Sequence, residues 1–368
     1  MMRKNNRGGV GEVFLRGLLY SLLITAAVFF GIMVTKLIKQ KIKDSKLDEA
    51  HNIEEVADII TAKLSEGKGD IDSVSMYVKR VPDEDLKRIN EYISTLCGSV
   101  DTYRTSGNPN KGKAKVTFEI KKNTTTYVYD YLKNGTAIPS DNFDANRLYE
   151  AVKNIADSCT SPGMADYQKE LRLHDYLVNH CQYSYGSPDD ENEFRAYGAL
   201  IDGEAVCSGY AEAMALLLTY SGVECKIVIG SSKDENHAWN LVKISGDWYH
   251  LDPTWDDPVE LGIVTHAYFN LSDDQIAYDH SWNRDRTEKA SSTSQNYFNV
   301  TSKICSTVSD FELTAQFGMN SPGNSFETAV SGGNAADYIQ QFVNDYYFTS
   351  LKYTLIERNS YTVVIIYK

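Results

Sequence analysis

Apolar positions recur at three- and four-residue spacing in some stretches of this chain and alternate in others, and the switch between the two periods predicts its elements. Ala211, Met214, Ala215 and Leu218 set a buried face on a helix within Ala205 to Tyr220, a run without proline that Cys207 starts and Gly222 stops. Helices over Asn142 to Ser158 and Asp166 to His180 precede it. Cys225 to Gly230 and Ala238 to Ile244 read as strands, and Ser245-Gly246 turns the second into Asp247 to Asp252. Toward the N-terminus, Val74 to Leu96 shows a helical pattern broken at Pro82. Lys113 to Ile120 and Thr124 to Leu132 alternate as strands. Toward the C-terminus, Ala335 to Tyr346 reads as a helix, and Leu351 to Glu357 with Tyr361 to Tyr367 read as a hairpin around Arg358-Asn359.

These elements divide the chain into a basic tail (1–16), an apolar segment (17–35), a charged helical stalk (36–68) and a small α/β domain (69–140). A core (141–286), a Ser/Thr-rich linker (287–302) and a C-terminal α/β module (303–368) follow. Both flanking modules pair a helix with alternating strands, which is compatible with a distant duplication. Gly17 to Thr35 is uncharged and close to the ~20 residues a helix needs to cross a bilayer, with no small-x-small cleavage site before Lys36. An uncleaved signal anchor is expected, with the N-terminus inside and the body outside. From the total of −13 and the +5 of the first 49 residues, the remainder carries −18. A body this acidic has no general attraction for nucleic acid or anionic lipid. Six cysteines make no disulfide scaffold, although Cys159 and Cys181 are placed to bridge neighbouring helices.

Three segments carry the chemistry: Gly203 to Ala211 around Cys207, Asn236 to Asn240 around His237, and His250 to Trp255 around Asp252. A thiol works as a nucleophile only as thiolate, which a base or a helix N-terminus stabilises. Cys207 has the helix start, whose free N–H groups are also oxyanion donors. With a two-residue turn, Ile244 faces Asp247, His237 faces Thr254, and Asp252 lies diagonal to His237 on one sheet face; a register shifted by one residue would separate them. The other polar residues have plainer readings. His174 and His180 are packed or partly exposed, His250 is expected to face away from Asp252, and His266 and His280 lack partner spacing. No zinc motif is present, and the acidic runs at Asp189 to Glu193 and Asp256-Asp257 read as solvated loops. No metal or cofactor is expected.

From Lys169 to Trp282 the chain resembles the bacterial form of the transglutaminase-like core of the papain-like superfamily. Gly203 to Ala211 resembles its nucleophile helix, Asn236 to Trp239 its histidine strand, and Trp248 to Trp255 its acid strand with the Asp-Pro-Thr-Trp ending. The resemblance implies an α+β fold in which the nucleophile helix packs on an antiparallel sheet. It also implies Cys207 as nucleophile, His237 as general base and acid, and Asp252 as orienting acid. Tyr183 matches the family's aromatic residue near the oxyanion; Tyr210 and Trp239 are further oxyanion or cleft candidates. The expected activity is acyl transfer or hydrolysis on peptide or glutamine-type amides of a cell-surface peptide or wall-linked protein, with cross-linking and hydrolysis as the two alternative outcomes. The competing expectation is a catalytically silent module that binds peptides or wall components.

Overall fold

The structure is a computed structural model that describes residues 47–65, 72–93, 96, 98–185, 190–257, 263–348 and 351–368. The apolar segment 17–35 and the first part of the expected stalk lie outside the described residues. Among the described residues no helix is long and apolar enough to cross a membrane.

The first module holds β1 (Glu49–Ala50), α1 (Ile53–Ser65), β2 (Ser73–Lys79), α2 (Asp83–Lys87), β3 (Ser99–Ser106) and β4 (Lys113–Lys121), in sheet order β1-β2-β4-β3. Two expectations are corrected here. Val74, Met76 and Val78 point inward from a strand, so the helical reading of this stretch holds only for the short turns after Pro82. Helix α1 is not a free stalk: Ile53, Val56, Ala57 and Ile60 form one core with those strand residues.

The central unit stacks α3 (Thr124–Asn134), α4 (Phe143–Cys159) and α5 (Asp166–His180) around α6 (Cys207–Tyr220), with a sheet on its far side. The expected strand at Thr124 to Leu132 is therefore a helix. Its β-branched and aromatic run fits either period, and the ends decide it: the Asn123 side chain accepts the Thr126 N–H, and Gly135 closes the helix at φ 71°. Short strands β5 (Gln182–Tyr183) and β6 (Glu204–Ala205) pair in parallel just ahead of α6. The sheet contains β7 (Cys225–Ser232), β8 (Glu235–Ile244), β9 (Asp247–Leu251) and, after α7 (Asp273–Ile276), β10 (His280–Trp282), in antiparallel order β10-β7-β8-β9. Because helices cover α6 on one side and β7 and β8 on the other, Gly209 through Leu218 are all buried, a wider face than the four-residue stripe implies.

The expected linker is packed. Ala290 and Asn296 are buried, the Tyr249 hydroxyl meets Ser292 and Ser294 at 2.9 Å each, and α8 (Tyr297–Val300) follows. The last module runs β11 (Ile304–Cys305), α9 (Val308–Asn320), β12 (Ser325–Val330), α10 (Ala335–Asp345), β13 (Lys352–Glu357) and β14 (Thr362–Tyr367), in order β11-β12-β14-β13. In both flanking sheets the first two strands are parallel with a helix between them, and the last two form a hairpin. Arg286 reaches Asp58 from the core to the first module, and Arg358, buried over the Tyr268 ring, reaches Asp279 at 3.0 Å from the last module.

Candidate active site

Cys207 is the first residue of α6, partly exposed, after an extended Val206. The loop ahead of it is pinned across the first turn, with Val206 N–H donating to Glu193 O at 2.9 Å and Ser208 Oγ to Phe194 O at 2.9 Å. Gly209 permits this crossing, since a Cβ there would stand 2.9 Å from the carbonyl oxygens of both Glu193 and Arg195. Deeper in the helix, buried Glu212 accepts from Thr125 Oγ1 at 2.6 Å and Ala196 N at 3.0 Å and pairs with Arg195 at 3.1 Å. These contacts fix α6 against α3 and the loop. Pairing of Tyr183 with Ala205 brings that tyrosine beside Cys207; burial raises its phenol pKa, and Cys207 is the next contributor.

Across the sheet, Ser245 and Gly246 both adopt positive φ (53° and 95°), the tight turn that pairs Ile244 with Asp247 and Asn240 with Leu251. In this even register His237 and Asp252 share a face, and His237 Nε2 lies 2.7 Å from Asp252 Oδ2. The remaining nitrogen, Nδ1, is left for Cys207, whose side chain adds to the upward shift of the imidazole pKa. Burial alone would lower the His237 pKa; the Asp252 carboxylate, its hydrogen bond and Cys207 override this and raise it to about 10. Asp252 is fully buried, yet two histidines hold its carboxyl well below the usual range, and its Oδ1 accepts the N–H groups of Thr254 and Trp255 at 3.0 and 3.3 Å.

The second histidine is His280, expected to have no partner. Its Nε2 lies 3.0 Å from the same Asp252 Oδ2, and its Nδ1 is 2.7 Å from Asp279. Strand β10 can lie this close because a Cβ at Gly230, opposite His237 on β7, would stand 2.2 Å from Ser281 O. The only sequence signal was a histidine beside Ser281-Trp282 at the end of the core.

Two cleft candidates are corrected. Tyr210 is fully buried and donates to Asp257 at 2.5 Å, so it braces the core beneath Cys207. Trp239, also fully buried, stacks behind His237 at 5.8 Å between centroids and donates its indole N–H to His250 Nδ1 at 2.9 Å. His250 accordingly faces the same side as Asp252, because residues two apart on a strand share a face. Trp255, which sequence reading left unassigned, sets its ring edge-on to His237 at 6.3 Å. Cys159 and Cys181 are free thiols. Asp256 and Asp257 are not a solvated loop, since Asp256 accepts Thr265 Oγ1 at 3.0 Å and Tyr268 N–H at 2.9 Å.

Residues 153–253 match the family model of the transglutaminase-like superfamily core. Among curated proteins, kyphoscoliosis peptidase of Homo sapiens is 26% identical over 104 residues, covering 24% of this chain and 16% of that protein. The Mus musculus counterpart is 26% identical over 122 residues, covering 29% and 18%. The chain thus matches less than a fifth of the length of these curated relatives. Among solved structures, a TGase is 15% identical at TM-score 0.27, covering 56% of this chain and 59% of that one. The periplasmic domain of TgpA from Pseudomonas aeruginosa bound to ethylmercury is 15% identical at TM-score 0.26, covering 45% and 69%.

Proposed function

We propose that this chain is a thiol enzyme that performs acyl transfer or hydrolysis on peptide or glutamine-type amides through Cys207, His237 and Asp252, held at a membrane by residues 17–35 with its body outside the cytoplasm. The observation that carries the reading is the convergence of a partly exposed thiol at a helix start with an imidazole whose far nitrogen is held by a buried carboxylate. Cys207 Sγ attacks the carbonyl carbon, and the first-turn N–H groups of α6 face the developing oxyanion. His237 Nδ1 gives its proton to the leaving amine, leaving a thioester that water or a second amine resolves. Asp252 keeps the ring in the tautomer that presents Nδ1 to sulfur and stabilises its cation.

The test is iodoacetamide labelling of the full-length chain in detergent between pH 5 and 9, comparing wild type, Cys207→Ala and His237→Ala. The expected outcome is selective labelling at Cys207 that persists at pH 6 and weakens at least ~10-fold without His237. Labelling that misses Cys207, or that ignores His237, would favour the silent binding module. A peptide offered with a fluorescent primary amine then separates the two reactions, since only transfer attaches the dye. Resistance of the chain to alkaline carbonate extraction tests the membrane tether.

A further inference from the structure

His174 and His266 stand apart from the proposed triad, and each sets both ring nitrogens against carboxylates. His174, on α5, places Nδ1 3.0 Å from Asp175 Oδ1 and Nε2 3.2 Å from Asp256 Oδ2. His266 places Nε2 2.9 Å from the same Asp175 Oδ1 and Nδ1 2.5 Å from Glu327 Oε1, while its backbone N–H donates to the other Glu327 oxygen at 3.0 Å. Tyr297 lies flat on the His266 ring at 3.8 Å. His174 and Asp256 are sealed from solvent, whereas the Asp175 side chain is 40% exposed, so the point where the two rings converge opens outward at that carboxylate.

Two imidazoles aimed at one carboxylate oxygen, each held from behind by a further buried carboxylate, reproduce the second shell that orients histidine ligands and raises their basicity in divalent-metal sites. We propose that His174 Nδ1, His266 Nε2 and Asp175 Oδ1 bind one zinc-class divalent cation, with water completing its coordination on the open side. The three ligand atoms lie within 4.8 Å of one another. The nitrogen–oxygen separations of 2.9 and 3.0 Å subtend about 90° at a cation ~2.1 Å from each atom. Imidazole nitrogens select zinc and its transition-metal neighbours over magnesium or calcium. His174 Nε2 and Asp256 Oδ2 are both buried and stand 3.2 Å apart without a well-aligned hydrogen bond.

The consequence is mechanical. Glu327 belongs to β12 of the last module, and Asp256 N–H donates to Asp252 O at 3.2 Å, so a cation here fastens that module to the core beside the acid strand.

The test uses the full-length chain in detergent, stripped with chelator and titrated with zinc chloride against a chromophoric competitor, with zinc per chain measured after desalting. Wild type is expected to bind one zinc with Kd of roughly 1 µM or tighter. Asp175→Asn and Glu327→Gln should each weaken binding about 10- to 100-fold, while Cys207→Ala and His280→Phe bind as wild type. Circular dichroism of each stripped variant establishes that it is folded, and if one does not fold the other decides. Less than half an equivalent bound by wild type at 100-fold the expected Kd, unchanged binding in the folded variants, or loss of zinc in Cys207→Ala would overturn the assignment.

Discussion

Replacing Asp252 with Asn changes one atom and tests the proposed triad through its least exposed member. In wild type the His237 pKa of about 10 against the ordinary 6.5 corresponds to roughly 5 kcal/mol in favour of the cation. The sign follows from the direction: a raised histidine pKa keeps the imidazolium populated below 6.5 and loses it as pH climbs through about 10. In Asp252→Asn the side-chain oxygen still accepts from Thr254 and Trp255, so the turn is retained, and the new amide nitrogen faces His237 Nε2. An amide N–H donates, so Nε2 becomes an acceptor and the ring's one proton moves to Nδ1, toward the sulfur. Burial, which opposes the cation, is then no longer offset by Asp252, the larger of the two groups that favour it, and His237 is neutral and unable to accept the Cys207 proton. The expected loss in kcat is about 10³- to 10⁴-fold, comparable to the same change in serine enzymes. Iodoacetamide labelling of Cys207 at pH 6 should fall at least ~10-fold with Tm within a few degrees of wild type. A folded Asp252→Asn chain that labels at the wild-type rate at pH 6 would refute the reasoning.

His280→Phe keeps a ring but removes one donor from Asp252 Oδ2, and a hydrogen bond to a charged group is worth ~1.5–3 kcal/mol; kcat should drop about 10- to 100-fold with KM little changed, read from steady-state kinetics. Gly209→Ala drives a Cβ into two backbone carbonyls and should cost ~1–3 kcal/mol, seen as a lower urea midpoint together with slower Cys207 labelling. Glu170 is fully buried, and burial raises its pKa to about 8 despite a hydrogen bond from Asn270. An acid with a raised pKa binds its proton more tightly when folded, so stability falls as pH rises from about 4.5 to 8; Glu170→Gln should flatten this limb of the Tm–pH profile.

Helix α6 and the hairpin that carries His237 and Asp252 were legible because local chemistry specifies them: Cys207 begins an apolar run with no breaker, and Ser245-Gly246 admits the positive φ that fixes the register. Local chemistry also misled. Thr124 to Leu132 satisfies a strand period as well as a helical one, and only the capping residues outside that window turn it into α3. Val74 to Val78 failed in the other direction, because three alternating apolar residues are too few to outweigh the turns that follow.

What no window reveals is pairing across distance. His280 meets Asp252 from 28 residues away, and His266 meets Asp175 from 91. Both contacts depend on a strand or module returning to the core, and a lone histidine in sequence has no feature that reports this. The permission for the first contact was nevertheless written in the chain: Gly230 stands opposite His237, and any side chain there would meet the backbone of β10 and hold His280 away from the carboxylate. A glycine in the middle of an apolar strand, where it weakens the strand, signals a close backbone approach. In this chain that approach delivers the second hydrogen bond to Asp252, so Gly230 bears on the proposed chemistry without touching any reacting atom.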